Sequence, residues 1–174
     1  MTSVANPGLR AILVGGLVAG TVDIGAASLI NSVSPVLICH YIASGILGEA
    51  AFSGGAPAAC LGLLLQWAMS LVIAAIYWWV SARLPRLRER WWLGGILAGV
   101  VIYLVMNFIV MPFSAAPVTL REVIARLRPV KGAEDLLAML VFGSIVAYCA
   151  RYLGFVGRGK PSVSAEVHTR AGAG

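Results

Sequence analysis

The hydrophobic and polar positions divide the chain into four long apolar stretches, separated by shorter segments that hold most of the charged residues. A helix needs about 20 apolar residues to cross a hydrocarbon layer about 30 Å thick. Each stretch approaches or meets that length and therefore predicts a membrane-spanning helix. The predicted spans are roughly Ala11–Ile30, Pro57–Val80, Trp91–Met111 and Asp135–Leu153.

Composition supports an all-α integral membrane protein in contact with the lipid bilayer. Hydrophobic residues make up 60% of the chain and charged residues only 11%, whereas soluble domains carry about 25% charged residues. The first apolar run is longer than the 7–15-residue core of a cleaved signal peptide, so we expect it to be retained. We predict a four-helix transmembrane domain over residues 1–156. Residues 157–174 lack apolar periodicity, and we predict a disordered cytoplasmic tail there.

The distribution of positive charge predicts that both termini face the cytoplasm. With the N-terminus inside, nine Lys and Arg residues lie on the cytoplasmic side and four outside, and such an excess marks the cytoplasmic face. Trp78–Trp79 and Trp91–Trp92 bracket the basic loop Arg83–Arg90, as expected of aromatic residues at one interface. This distribution explains the net charge of +6 without nucleic acid as a partner.

Both predicted outer loops contain a segment with helical character. Val36–Leu47 is too short to cross the bilayer and too apolar for a loop, so it predicts a re-entrant or interfacial helix beginning near Pro35. Val118–Val130 predicts an amphipathic helix. That helix either lies on the outer headgroup layer or packs on the bundle as an ordinary connection.

Two parts of the chain resemble each other and suggest a tandem duplication of a two-span unit. Gly15–Gly20 begins the first span and Gly94–Gly99 the third, with similar sequences. A Pro-Val pair follows each, and Ile-Ala comes after five further residues. The alternative is chance similarity between spans rich in glycine and alanine. A duplication predicts two units related by a pseudo-twofold axis along the membrane normal.

Asp23 is the ionisable residue deepest within a predicted span. A carboxylate at a helix centre costs about 2.5–3.5 kcal/mol on insertion scales, so it should face protein or water. Gln66 in the second span and Asn107 in the third are candidate partners in an intramembrane polar site. Such a site either carries a proton or cation, or acts as a structural hydrogen-bonded clasp.

Two glycine pairs predict close packing between helices. Gly16 and Gly20 are four residues apart, as are Gly95 and Gly99, and this spacing lets helix backbones approach closely in lipid. Gly16 and Gly20 share the helical face of Asp23. The pairs serve either the internal bundle or an interface with another chain.

The sequence contains no recognisable catalytic motif, and we predict no cofactor or metal. His40 and Glu49 provide too few ligands for zinc. Cys39, Cys60 and Cys149 lack metal-binding spacing and are expected to act as small apolar side chains.

Three segments resemble a family of small, uncharacterised four-span bacterial membrane proteins: IASGILGEAAFSGG (Ile42–Gly55), LGLLLQW (Leu61–Trp67) and YLVMNFIVMPFSAAP (Tyr103–Pro117). The resemblance extends over roughly Leu9–Leu153. It implies a multi-pass protein of the bacterial inner membrane and supplies no activity. At the position of Gln66 that family often carries His.

Two functions fit these features. The first is a small transporter or channel component that uses Asp23 as an ionisable site. The alternative is a structural or assembly membrane protein whose glycine-rich faces bind a partner span. Four short spans leave little room for a central pathway, so transport would favour a homodimer. An intramembrane enzyme acting on lipid is a weaker third hypothesis.

Overall fold

A computed structural model describes residues 6–115 and 129–155, and within these ranges all the regular structure is helical. The four predicted spans are confirmed as helices long and apolar enough to cross a membrane. The helices are α1 (Pro7–Asn31), α2 (Pro35–Leu47), α3 (Ala50–Ser53), α4 (Gly55–Arg83), α5 (Pro85–Glu89), α6 (Trp91–Phe113) and α7 (Pro129–Cys149), the last continued by π-helical residues Ala150–Phe155.

Local capping explains why α1 extends beyond its apolar stretch. The side chain of Asn6 accepts a hydrogen bond from the Gly8 amide, and Pro7 occupies the first helical position, a favourable site for proline. The helix stops at Ser32, whose left-handed backbone conformation (φ 53°) lets its amide bond to carbonyls of the last turn. Each end of the span therefore has a capping hydrogen bond that satisfies part of its exposed backbone.

Helix α2 occupies the place predicted for the short outer helix. Ser34 caps it by accepting a hydrogen bond from the Leu37 amide, and Pro35 is its first residue. Its 13 residues extend about 20 Å, which is too short to cross the bilayer. The predicted second outer helix, Val118–Val130, falls mostly outside the described residues, as does the predicted tail 157–174.

Helix α6 changes its hydrogen-bonding register near its outer end. It is α-helical over Trp91–Val105, π-helical over Met106–Val110, and closes with the turn Met111–Phe113. Pro112 lies just beyond the π-helical residues and has no amide hydrogen to donate to the preceding turn. Such local π-helical turns are rare and interrupt the regular register of an α-helix.

The spans are arranged so that α1 packs against both α4 and α7, while α6 packs mainly against α7 and α2 packs mainly against α4. A buried cluster that includes Ala19, Tyr77 and Phe142 joins α1, α4 and α7. A second cluster, built on Ile24, Ile38 and Cys39, joins α1 to α2 and is covered by residues of α4. Helices α1 and α4 therefore contribute to both clusters.

Glycines allow these helices to approach at backbone distance. A Cβ atom at Gly16 would lie 2.9 Å from the Leu71 Cα, and one at Gly99 would lie 2.7 Å from the Leu140 Cα. A Cβ at Gly62 would overlap the carbonyl oxygen of Cys39 in α2. Larger residues at these positions would push the helices apart, and packing is what drives helix association in lipid.

The outward surface of the spans is apolar. Large hydrophobic side chains remain exposed along every span, and examples on α6 include Leu97, Val101 and Phe108. Soluble monomers rarely expose contiguous apolar patches this extensive. Together with the length of the helices, this surface indicates a multi-pass membrane protein.

We expect Gly62→Ala to destabilise the protein in detergent by about 1–3 kcal/mol, the usual cost of overpacking. The added methyl group would displace α2 from α4. The measurement is the free energy of unfolding from denaturant titration followed by circular dichroism. Gly25→Ala is the matched control, because a Cβ there meets nothing within 4 Å. Equal stability of the two variants would contradict the close contact.

Candidate functional site

Asp23 and Gln66 form a hydrogen bond between α1 and α4. The Gln66 Nε2 donates to Asp23 Oδ2 at 2.7 Å. Asp23 lies about 6 Å along the axis from the middle of its span and Gln66 about 4.5 Å from the middle of its own. Only 4% of the Gln66 surface is exposed, so its side-chain amide lies in the interior of the bundle.

The pair lies between the two buried apolar clusters. On α1 it comes between Ala19 of the first cluster and Ala27, which packs on the second. On α4 the second cluster reaches Leu63 and the first begins at Ile73, on either side of Gln66. The hydrogen bond is therefore flanked by apolar packing, where a polar group without a partner would be costly.

Small side chains next to the pair bring the two helices close enough for this bond. A Cβ at Gly20 would lie 2.5 Å from the Ser70 Oγ. The Ser70 hydroxyl, which faces Gly20, donates a hydrogen bond to the backbone carbonyl of Gln66 at 2.7 Å. The Trp67 indole donates to Thr21 Oγ1 at 3.2 Å. The faces carrying Gly20 and Ser70 thus form the α1–α4 contact that contains the acid–amide pair.

A second acid, Asp135 in the first part of α7, has a minor electrostatic influence on Asp23, smaller than the effects of burial and of the Gln66 hydrogen bond. Asp135 also makes an interaction of its own. Asp135 had no predicted role, because it stands at the edge of an apolar stretch, where acids are common. Gln66 is therefore the residue that the structure joins directly to Asp23.

The third predicted site residue, Asn107, makes its hydrogen bond within its own helix. Its Nδ2 donates to the Tyr103 carbonyl at 2.9 Å. Asn107 belongs to the π-helical residues of α6, where the regular backbone register is interrupted. Its side chain therefore satisfies a local carbonyl, and the structure gives no bond between Asn107 and the Asp23–Gln66 pair.

The four predicted packing glycines are all buried between helices of this chain. Gly16 and Gly20 lie against α4, where they meet Leu71 and Ser70. Gly95 and Gly99 lie against α7, beside Ser144 and Leu140 respectively. In each half of the chain, the glycine pair of the first span therefore contacts the second span.

The other reactive side chains form no further site within the described ranges. His40 Nε2 lies 2.9 Å from the Gly55 carbonyl oxygen, which ties α2 to the start of α4. Within residues 6–115 and 129–155, no three His, Cys, Asp or Glu residues group as metal ligands. The three cysteines are free thiols, and burial raises the pKa of the Cys39 thiol, which reduces its reactivity.

Comparison of the chain with protein-family models, with curated proteins and with solved structures found no match in any of the three.

The Asp23–Gln66 pair has two chemical capacities. An ionised carboxylate can bind a proton or a metal cation while the amide orients it. A protonated carboxyl can instead act with the amide as a neutral link between helices. Buried acids in membranes are most often part of ion or proton pathways.

A double-mutant cycle tests the pair. We expect Asp23→Ala and Gln66→Ala to be non-additive, with a coupling energy of about 1 kcal/mol, because each change removes the same interhelical hydrogen bond. The measurement is the free energy of unfolding in detergent for wild type, both single variants and the double variant. The matched control cycle combines Asp23→Ala with Asn107→Ala, whose effects should add. Additive costs in both cycles would show that the acid and the amide do not interact.

Proposed function

We propose that this protein is a small transporter or channel component, in which the Asp23 carboxylate binds the transported proton or cation. The observation that carries the proposal is the Gln66–Asp23 hydrogen bond near mid-span, between two apolar clusters. The bond fixes the orientation of the carboxylate without neutralising it, because an amide donates a hydrogen bond and carries no charge.

Transport requires more of Asp23 than a structural clasp does. A protonated Asp23 bonded to Gln66 is enough for a clasp, whereas transport requires its carboxylate to exchange a positive charge between the two sides of the membrane. We favour transport because an ionisable group at membrane depth typically marks an ion or proton pathway.

The alternative function, assembly with a partner span through glycine-rich faces, receives less support. Gly16, Gly20, Gly95 and Gly99 are already covered by α4 and α7, so these faces are occupied within the chain. A partner would have to bind elsewhere on the lipid-facing surface.

We further propose that the protein lies in a bacterial inner membrane with both termini in the cytoplasm, as the resemblance and the charge distribution suggest. The tandem duplication remains part of this proposal, supported by the matching roles of the two glycine pairs. A homodimer would provide the additional surface that transport by so thin a bundle needs.

Flux measurements test the role of Asp23. We expect liposomes that contain the wild-type protein to take up protons or alkali cations under an imposed gradient, as read by an internal pH dye and by isotope uptake. Asp23→Asn should reduce the rate at least tenfold, because the amide keeps the shape of the acid but cannot exchange its charge. Glu49→Gln is the matched acid-to-amide control on an exposed residue and should retain wild-type flux.

Normal folding of Asp23→Asn, checked by its elution profile and thermal unfolding, is needed to interpret the loss. Equal flux in the wild type and in Asp23→Asn, including the absence of flux in both, would reject the transport proposal and leave the clasp.

Reporter fusions test the orientation. We expect green fluorescent protein fused after Gly174 to fluoresce in intact cells, because it folds in the cytoplasm. Alkaline phosphatase fused after Gly48 should be active, since the α2 region is expected outside. Phosphatase fused after Glu89 is the control and should be inactive. The opposite pattern at these positions would overturn the proposed topology.

A further inference from the structure

An open cleft of about 430 Å³ lies at the arginine-rich end of the bundle, where α5 leads into α6. Its volume falls in the range of roughly 300–1,000 Å³ typical of small-ligand sites. It is remote in sequence from Asp23 and contains none of the residues of the acid–amide pair. The lining residues are Arg86, Leu87, Glu89, Arg90, Leu93 and Gly94.

Helix α5, which lines the cleft, is held in place by the π-helical continuation of α7. Arg151 Nη1 donates to the backbone carbonyls of Arg88 at 3.1 Å and Glu89 at 2.7 Å. Gly94 lies close to Leu87, because a Cβ there would be 3.2 Å from the Leu87 carbonyl oxygen. A short helix such as α5 would be unstable alone, and these contacts give it a defined position.

Two arginines on this cleft have side chains available for a ligand. In the part of the chain that the structure describes, Arg83 stacks on Trp79, Arg88 on Phe155, and Arg151 binds carbonyls. The exposed Arg86 and Arg90 make no such contact within that part. Both guanidinium groups are permanently charged and can bind phosphate oxygens in pairs.

The position of the cleft at the ends of two spans places it where lipid headgroups are expected. Helix α4 ends at Arg83 and α6 begins at Trp91, so the cleft lies where two spans leave the hydrocarbon. Trp79 and Trp92 are exposed at the same end, as is typical of aromatic residues at the interface. Leu93, one of the lining residues, is 39% exposed and provides an apolar edge on the side of the span.

We propose that this cleft binds the headgroup of an anionic phospholipid, with Arg86 and Arg90 contacting the phosphate and Leu93 contacting the upper part of an acyl chain. A soluble phosphate would use the two arginines but gain nothing from the apolar edge. A zwitterionic lipid carries its own cation, which the two arginines would repel. The proposal does not depend on transport or on which leaflet contains the cleft.

Lipid titration by native mass spectrometry tests this site. The full chain in a non-ionic detergent is titrated with phosphatidylglycerol or with phosphatidylcholine of the same acyl chains. We expect the wild type to prefer phosphatidylglycerol, and Arg86→Gln with Arg90→Gln to weaken its binding about tenfold or more. The control double variant, Arg10→Gln with Arg83→Gln, removes the same net charge outside the cleft. It should stay within about twofold of wild type, because long-range charge effects are screened by salt.

Two further arms keep the test decisive. Glu89→Gln removes the one acid of the cleft and should strengthen phosphatidylglycerol binding, so it tests the site even if the arginine variant fails to fold. Inorganic phosphate should compete weakly. The proposal is overturned by equal binding of both lipids, by equal loss in the two double variants, by weaker binding in Glu89→Gln, or by displacement of the lipid by millimolar phosphate.

Discussion

Backbone-to-backbone contact at glycine positions is the interaction on which this bundle depends. Lipid tails are as apolar as leucine, so burying an apolar side chain between spans gains little, and close packing must supply the association. Gly16 and Gly20 bring α1 against α4, and Gly95 and Gly99 bring α6 against α7. The hydrogen bonds Gln66–Asp23 and Trp67–Thr21 both lie on the α1–α4 pair that the first two glycines hold together.

The acid–amide pair follows from this geometry. A carboxylate near mid-span is costly unless a partner reaches it, and the partner can reach it only if the helices approach closely. Gly20 allows Ser70 to lie against α1, and Gln66, one turn before Ser70, then meets Asp23. The Asp23 carboxylate therefore lies on the same side of α1 as the glycine face that packs against α4.

The apolar pattern predicted the four spans closely, because each span must place about 20 apolar residues across the hydrocarbon layer. The bounds differ by a few residues, since capping by Asn6 and the turn at Ser32 are local effects that hydropathy does not register. Pro35 correctly marked the start of α2. The shared face of Gly16, Gly20 and Asp23 pointed to the side on which the partner was found.

Other features could not be read from the sequence. A stripe of small residues fits any neighbouring helix, so the pattern did not decide between internal packing and another chain. Asn107 was a candidate partner of Asp23 because it is a polar residue within a predicted span, whereas its side chain bonds to the Tyr103 carbonyl one turn earlier in its own helix. The minor electrostatic influence of Asp135 on Asp23 depends on how α7 packs on α1, which no local pattern encodes.

The separation of Asp23 and Gln66 along the chain has a consequence for biogenesis. Gln66 follows Asp23 by 43 residues, which at about 5–20 residues per second corresponds to roughly 2–9 s of synthesis. Throughout that interval the nascent first span carries an acid whose amide partner has not yet been made. The cost of that acid is therefore borne by the first span until α4 arrives, and the order of translation becomes part of how this molecule is assembled.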